Sequence, residues 1–160
     1  MKSKTNKEIK FIDLFAGLGG TRIGLEQACK KLKIKSKCVF TSEIKPHAIQ
    51  SYQENFKNSK INGDITKVSA KNIPDFDILL GGFPCQSFSS AGNRRGFLDT
   101  RGTLFFEIER ILKRKKPSCF ILENVEGLVT HDRVDKKKPI GRTLETIVLS
   151  LEKIGYKVTW

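Results

Sequence analysis

The sequence predicts an α/β fold with a doubly wound, mostly parallel sheet. Short apolar runs that suit buried strands alternate with longer stretches in which apolar residues recur at helical spacing. Several runs end in glycine or polar turns, and this strand–helix repetition favours parallel pairing through right-handed crossovers. At 160 residues, the chain has the size of one domain with a substantial core.

In the first half, each predicted strand is an apolar run that glycine or a polar residue ends. The glycine turn follows the first run, and Gly81 and Gly82 follow the run Ile78, Leu79, Leu80. Pro46 suits the first turn of a helix because its φ angle is already helical. The elements predicted here are strands at 11–15, 38–42, 61 and 77–80, and helices over 21–32 and from 46 onward.

In the second half, two amphipathic stripes indicate helices. Apolar residues recur at helical spacing over 104–112 and again over 144–154, and Pro117 separates the first stripe from the next apolar run. The elements predicted here are helices over these two ranges, a strand at 119–122 and the start of another strand at 156–160. Residues 1–10, which are rich in lysine, are expected to be loose, and 11–160 to form the folded domain.

Charge and cysteine content limit the classes of function. The formal net charge is +13, with much of the excess in the basic runs 30–37, 113–116 and 133–138. Such a field attracts polyanions such as nucleic acids, although basic runs are often simply solvated faces. The cysteines show no metal-type spacing, and we expect free thiols and no metal. With no signal-peptide pattern and no apolar run of about 20 residues, we expect a cytoplasmic protein without a membrane partner.

Three consecutive strand ends predict an adenosine pocket. Gly17 and Gly19 allow the backbone of the first turn to approach a ligand closely, and the helix that follows offers unpaired N–H groups. Glu43 ends the second strand at the distance where an acid meets a ribose diol, and Asp64 ends the third near an adenine amino group. Each acid alone is better explained as a helix cap, and only together with the glycine turn do the two acids favour the pocket. Arg22 replaces the third glycine of a dinucleotide fingerprint, which favours a smaller adenosine ligand.

Two further strand ends supply reactive groups. Cys85 follows Gly81, Gly82 and Pro84 at the carboxyl end of its strand, where ligands bind in open α/β sheets. Taken alone, it is also compatible with a small buried residue. Glu123 ends the next strand, and we expect it to be poorly solvated, a setting that lets a carboxyl hold a proton near neutrality. A thiol and a proton-donating carboxyl beside an adenosine site suit attack on an electron-poor ring followed by alkyl transfer.

Motifs in register across the chain resemble the DNA cytosine-5 methyltransferase family. They read FIDLFAGLGG, TSEIKPHAIQSY, GDIT, GGFPCQSFS, GFLDTRGTLFFEIERIL and FILENVEGL, and they run from Phe11 to about Leu128. The resemblance implies a Rossmann-like fold that binds S-adenosylmethionine, releases S-adenosylhomocysteine and flips cytosine out of duplex DNA. Cys85 would attack cytosine C6 while Glu123 protonates N3, so that C5 becomes nucleophilic enough to take the methyl group.

The resemblance also assigns the other site residues. Pro84 and Asn124 would shape the cytosine pocket. Glycine hinges and arginines over residues 87–101 resemble a mobile loop that closes over DNA. The cofactor residues would be Phe15, Gly17, Leu18, Gly19, Glu43, Ile44, Asp64, Ile65 and Leu104. The residues of the DNA-contacting loop would be Gln86, Ser87, Ser89, Arg94, Arg95 and Arg101.

The family pattern continues beyond the motifs found here. We find no QxRxR segment, no target-recognition region and no late GNSV-like segment, and Trp160 ends the chain within or just after a strand. We therefore expect the cofactor-binding and catalytic domain to be incomplete, truncated before its last strands. We also expect the chain alone to be poorly active or inactive, with the missing part possibly supplied as a complementing carboxyl-terminal chain in a bacterial or phage-like setting.

Three other interpretations compete with a DNA methyltransferase. A tRNA cytosine-5 methyltransferase has the same architecture, but its motif usually reads PPCQPFT where this chain has GGFPCQSFS. A non-catalytic fragment or subunit fits the incomplete pattern but leaves Cys85 and Glu123 without a purpose. An adenosine-cofactor oxidoreductase explains neither residue and lacks the third glycine.

Overall fold

The computed structural model describes residues 8–84, 103–135 and 137–160. These residues form two compact units. The first combines the described residues of Met1–Gly82 with Pro117–Leu122, and the second combines those of Phe83–Lys116 with Glu123–Trp160. The boundaries follow the ends of two strands, so the sheet belongs to the first unit and the later helices belong to the second.

The first unit is built on a parallel sheet of four strands. The strands are β1 (Ile9–Leu14), β2 (Ser36–Ser42), β3 (Ile78–Gly81) and β4 (Cys119–Leu122). They lie in the order β2-β1-β3-β4, and every adjacent pair is parallel. The predicted parallel α/β fold is therefore confirmed, and all carboxyl ends of the strands lie along one edge of the sheet.

Two helices and two short turns of 3₁₀-helix complete the first unit. The helices are α1 (Gly20–Lys31) and α2 (Pro46–Asn55), and the 3₁₀ turns are Ile65–Lys67 and Ala70–Asn72. Pro46 begins α2, as predicted from its fixed φ. The core lies around β1, where Phe11, Ile12 and Leu14 are fully buried because β1 has a strand on each side.

The second unit contains three helices. These are α3 (Thr103–Lys115), α4 (Gly127–Thr130) and α5 (Arg142–Lys153), and α5 packs against both α3 and α4. The predicted apolar stripes are confirmed as the buried faces of α3 and α5. The buried residues of these stripes are Phe105, Ile108, Ile111, Leu112, Leu144, Ile147 and Leu151.

Three predicted boundaries or elements differ from the structure. β1 begins at Ile9, so the last two residues of the supposedly loose 1–10 stretch belong to the sheet, while residues 1–7 lie outside the described chain. The predicted strand at Ile61 is a single bridge to Thr41, because Gly63 at φ 62° turns the chain away. Residues 156–160 form no strand, since alternating apolar residues supply strand propensity but not a pairing partner.

None of the helices within the described ranges has the length and apolar character needed to cross a membrane.

Candidate cofactor site and catalytic segment

The glycine turn between β1 and α1 is held in an unusual backbone conformation. Phe15 and Gly17 both have φ 54°, and Gly19, the N-cap of α1, has φ 86°. Glycine adopts this left-handed region freely, whereas a bulky residue such as Phe15 does so at a cost of about 1–3 kcal/mol. Backbone strain of this kind is concentrated at ligand sites, so the turn is a candidate site on geometric grounds as well as by its motif.

Gly19 is required by packing as well as by its φ angle. A Cβ atom at this position would overlap the ring of Phe56 and lie 3.1 Å from Cε2 of Tyr52. A Cβ at Gly17 would meet nothing within 4 Å, so only its φ angle favours glycine there. The turn therefore packs closely on aromatic rings at Gly19 and is open at Gly17.

Glu43 links the glycine turn to the end of β2. Its Oε2 accepts a hydrogen bond from the backbone N–H of Gly17 at 2.8 Å, and its Oε1 accepts from Ile44 and Lys45 at 2.8 and 2.9 Å. The carboxylate thus binds backbone N–H groups both in the glycine turn and just before α2. A carboxylate has about four acceptor positions, so one remains for a ligand hydroxyl without displacing these contacts.

Asp64 lies at the third predicted position, in the turn before residues 65–67. Its Oδ1 accepts from the backbone N–H and the hydroxyl of Thr66 at 3.0 and 2.7 Å, so it is the cap that the alternative interpretation expected. These hydrogen bonds lower the pKa of Asp64 below its ordinary value, with Lys67 contributing less. The carboxylate therefore stays ionised, as an acceptor for an amino group must.

Ser42 joins the three segments that sequence analysis treated separately. Its carbonyl oxygen accepts from the N–H of Ala16 at 3.1 Å, and its hydroxyl donates to the carbonyl of Gly63 at 2.5 Å. The glycine turn, the end of β2 and the segment before Asp64 are thereby brought together at one edge of the sheet. Sequence analysis missed Ser42, because a serine at a strand end has many ordinary roles.

Exposed apolar side chains accompany these polar groups. Leu18 is 60% exposed and Ile44 is 64% exposed, whereas Ile65 is buried. Leu18 and Ile44 follow the ends of neighbouring strands, so they offer apolar surface beside the acceptors of Glu43. This combination of a left-handed glycine turn, acceptors and apolar surface fits an adenosine cofactor with an amino-acid end.

The catalytic segment is described only in part. Pro84 and Leu104 are half-buried, and Asn124 donates from Nδ2 to the carbonyl of Phe83 at 2.8 Å while its Oδ1 accepts from the N–H of Val125. Asn124 thus braces the backbone one residue before Pro84. The predicted residues that lie outside the described chain are Cys85, Gln86, Ser87, Ser89, Arg94, Arg95 and Arg101.

Glu123 is exposed, so the expectation of a poorly solvated carboxyl is wrong for the described structure. A place at a strand end does not determine burial. β2 and β4 are both edge strands of the described sheet, yet Glu43 at the end of β2 is buried, where its carboxylate accepts from three backbone N–H groups. Glu123 follows β4, which exposes Ile121 by 50%, and is itself exposed.

Sequence analysis also missed a buried polar cluster below the glycine turn. Asp13, the penultimate residue of β1, is fully buried, and its Oδ2 accepts from the hydroxyl of Tyr52 at 3.0 Å. Burial raises the pKa of Asp13 to about 7, although the hydrogen bond from Tyr52 and the nearby charge of Arg22 oppose the rise. The feature of the sequence that indicates this cluster is the lone aspartate within the apolar run FIDLF.

Comparison with known proteins identifies relatives of high similarity. The chain is 62% identical to the Type II methyltransferase M.NlaIV of Neisseria lactamica and 61% identical to M.NgoBV of Neisseria gonorrhoeae. Each match covers 96% of this chain but 36% of the relative, so the chain spans about a third of the length of these proteins.

Solved structures agree on the fold. The S. pombe Dnmt2 methyltransferase superposes with a TM-score of 0.66 at 24% identity, over 93% of this chain and 43% of that one. A precorrin-6y C5,15-methyltransferase from Geobacter metallireducens superposes with a TM-score of 0.58 at 20% identity, over 96% of this chain and 65% of that one. At these identities the likeness concerns the methyltransferase fold alone.

A family model decides the classification. The model described as C-5 cytosine-specific DNA methylase matches residues 9–160, which include the glycine turn, both acidic strand ends and the segments around Pro84 and Asn124. The chain therefore belongs to the C-5 cytosine-specific DNA methylase family.

Proposed function

We propose that this chain is the cofactor-binding and catalytic part of an enzyme that methylates C5 of cytosine in duplex DNA. The observation that carries the proposal is the family match over residues 9–160, supported by 62% identity to a Type II methyltransferase. The names of these relatives favour DNA over tRNA as the substrate and restriction–modification in a bacterial cytoplasm as the setting.

The glycine turn and its neighbours would hold S-adenosylmethionine, which supplies the methyl group. The backbone of Phe15, Gly17 and Gly19 would receive the methionine end, and Glu43 would accept from the ribose hydroxyls. Ile44 would pack on the adenine, and Asp64, kept ionised by Thr66, would accept from its amino group. The exposure of Leu18 and Ile44 supports this assignment, because both offer apolar surface for a ligand to cover.

Cys85 would act as the nucleophile. Its thiolate adds to C6 of the flipped cytosine, Glu123 gives a proton to N3, and electron density moves to C5, which then takes the methyl group. Loss of the C5 proton and expulsion of the thiolate release the methylated base. Pro84 would shape the pocket, and the bond from Asn124 to the Phe83 carbonyl supports a role in fixing the backbone that presents Cys85.

Exposure of Glu123 suits a site that closes only when DNA is bound. Water leaves such a pocket when a base enters, so exposure before DNA binds is compatible with a contact between Glu123 and the base. The loop residues Gln86, Ser87, Ser89, Arg94, Arg95 and Arg101 would contact the duplex during this closure.

Activity would require the part of the protein that this chain does not include. The relatives are almost three times as long as the matched region, since it forms 36% of their length. We infer that sequence recognition and the remainder of the cofactor site reside there, either on the same polypeptide or on a complementing carboxyl-terminal chain.

Covalent trapping tests the proposal. The chain, supplied with the complementing two thirds of M.NlaIV and S-adenosylmethionine, is mixed with a duplex that contains 5-fluorocytosine, which blocks release because the fluorine cannot leave as a proton. We expect a denaturation-resistant protein–DNA adduct that disappears in Cys85→Ser. Cys119→Ser, which removes an exposed thiol elsewhere, serves as the matched control and should form the adduct normally.

The same experiment separates the alternatives. Methyl transfer to tRNA but not to duplex DNA would support the tRNA enzyme. Absence of both adduct and transfer with the complement present, in a chain that still binds S-adenosylhomocysteine, would support a non-catalytic subunit.

A further inference from the structure

Residues at the end of α2 hold the glycine turn from one side. Asn55 donates from Nδ2 to the carbonyl of Leu18 at 3.0 Å, and the rings of Tyr52 and Phe56 occupy the space beside Gly19. The two rings also contact each other, with centroids 4.6 Å apart. We call Tyr52, Asn55 and Phe56 the α2 clamp.

The hydroxyl of Tyr52 connects the α2 clamp to both β1 and β2. It donates to Oδ2 of Asp13 at 3.0 Å, and it lies 3.2 Å from Oγ1 of Thr41. Asp13 and Thr41 are paired across β1 and β2, so one hydroxyl contacts both residues of the pair. Because a phenol has a single proton, its bond to Asp13 leaves its oxygen to accept from its other neighbours.

Arg22 extends the same network into α1. Its Nη1 donates to the Tyr52 hydroxyl at 3.0 Å, and its guanidinium carbon lies 3.8 Å from the centroid of the Phe56 ring. The side chain is 13% exposed and is paired with Glu26 at 2.8 Å. A guanidinium in this setting stacks on an aromatic face and bonds in its own plane at the same time. The helix that follows the turn is therefore tied to the clamp as well.

The contacts of the turn are thus supplied by the segment from the end of β2 to the end of α2. Glu43 binds the N–H of Gly17, Asn55 binds the carbonyl of Leu18, and the clamp rings pack on Gly19. Of these residues, Glu43 alone has an assigned role toward the cofactor. Asn55 is exposed, and its hydrogen bond to the Leu18 carbonyl accounts for its position without a ligand contact.

We propose that the α2 clamp is a positioning device that holds residues 17–19 in their ligand-binding shape before the cofactor arrives. The proposal rests on the proposed function, because it takes the turn as the site of the cofactor's methionine end. A turn with three left-handed residues would otherwise sample other conformations, and ordering it on binding would weaken affinity. Asn55 is the positioning residue, and it acts through the carbonyl of Leu18.

Asn55→Asp gives a sharp test, because it preserves size but replaces the donor with a carboxylate that the Leu18 carbonyl repels. Gln53→Ala, an exposed change on the same helix, is the matched control. Calorimetry compares the affinity for S-adenosylhomocysteine with the affinity for adenosine, which lacks the amino-acid end. The comparison separates the contributions of the two ends of the ligand to binding. We expect Asn55→Asp to weaken S-adenosylhomocysteine binding about five- to tenfold, the value of one lost hydrogen bond, and adenosine binding by less than about twofold.

Amide hydrogen exchange supplies a readout that needs no ligand. We expect the amides of Gly17, Leu18 and Gly19 to exchange several-fold faster in Asn55→Asp, with β1 unchanged and Gln53→Ala identical to the unaltered chain. Unchanged exchange at the turn, or equal loss of affinity for both ligands, would overturn the clamp. Calorimetry uses the chain together with the complementing two thirds of M.NlaIV, because the remainder of the cofactor site is inferred to lie there. If that combination binds no S-adenosylhomocysteine, the proposed function fails instead, and the exchange rates alone then decide the clamp.

Discussion

At the scale of single residues, the carboxyl group of Asp13, near the carboxyl end of β1, is buried at an energetic cost. Asp13 is 0% exposed, and its Oδ1 has no hydrogen-bond partner within the described part of the chain. An ionised carboxylate in such a place costs several kcal/mol, so the neutral form is favoured and the pKa of Asp13 rises to about 7. The groups that face it are Tyr52, Arg22, Glu26 and Glu43.

This burial makes stability depend on pH. The folded state keeps the proton of Asp13 up to about pH 7, whereas the unfolded chain loses it near pH 4. The folded state therefore binds more protons between these values, and the free energy of unfolding falls as pH rises through that window. For this one group the loss between pH 5 and pH 8 is about 2–3 kcal/mol, at 1.36 kcal/mol for each pH unit.

Asp13→Asn should remove this pH dependence. The amide oxygen still accepts from Tyr52, but the side chain no longer titrates, so the variant should gain about 2–3 kcal/mol relative to the unaltered chain between pH 5 and pH 8. Urea denaturation at both pH values measures the change. Glu54→Gln, on the exposed face of α2, should leave the slope as it is. Parallel stability curves for Asp13→Asn and the unaltered chain would show that Asp13 is not the titrating group.

At the scale of elements, the glycines at the start and in the middle of α1 are present for different reasons. Gly19 has φ 86° and rings of the α2 clamp beside it, whereas Gly24 lies within the helix with nothing within 4 Å of a Cβ. One position requires glycine for its backbone and its packing. At position 24, glycine has no such reason and only lowers the helix propensity of α1.

Alanine at these two positions should therefore act in opposite directions. Gly19→Ala combines left-handed strain with a forced shift of the Phe56 ring, and we expect the free energy of unfolding to fall by about 2–4 kcal/mol. Gly24→Ala should raise it by about 0.5–1 kcal/mol, through helix propensity alone. Urea denaturation of both variants gives the comparison. A tolerated alanine at position 19 would mean that the turn does not pack on Phe56.

The elements that could be predicted from sequence are those specified by local pattern. The strand Cys119–Leu122 was predicted at its observed bounds, and the stripes of α3 and α5 face inward as expected, because periodicity alone determines which side of a helix is buried. Pairing and solvation are not local properties. The bridge at Ile61 and the exposure of Glu123 depend on which parts of the chain lie alongside, and a pattern within one segment does not contain that information.

The candidate site shows the same division. The glycine turn and Glu43 could be found because each follows a strand end, where parallel sheets place ligands. Asp64 was predicted on the same ground, although the strand before it proves to be only the bridge at Ile61. The residues that hold these site residues in place could not be found from the sequence. Asn55, Tyr52 and Ser42 act through contacts with residues far away in sequence, such as the Asn55 amide on the Leu18 carbonyl 37 positions earlier.

At the scale of the whole molecule, the net charge of +13 attracts any polyanion, so the location of DNA contact has to be decided by geometry. The basic run at residues 30–37 leads into the amino end of β2, whereas the glycine turn and Glu43 lie at the carboxyl end of the sheet. A strand of seven residues separates the two by about 20 Å. Under the proposed function, in which the duplex presents its base to the cofactor, lysines such as Lys31 and Lys33 are therefore on the wrong side for DNA contact.

The salt dependence of DNA binding can show whether Arg94 and Arg95 or Lys31 and Lys33 contact phosphates. Each phosphate contact that is removed lowers the slope of log affinity against log salt by about 0.9. We expect Arg94→Gln with Arg95→Gln to lower the slope by about 1–2, and Lys31→Gln with Lys33→Gln to leave it unchanged, although both pairs remove the same charge. Fluorescence anisotropy of a labelled duplex at increasing KCl measures the slope. Equal reductions by the two pairs would mean that charge alone, spread over the protein, holds the DNA, and that Arg94 and Arg95 have no special part in binding.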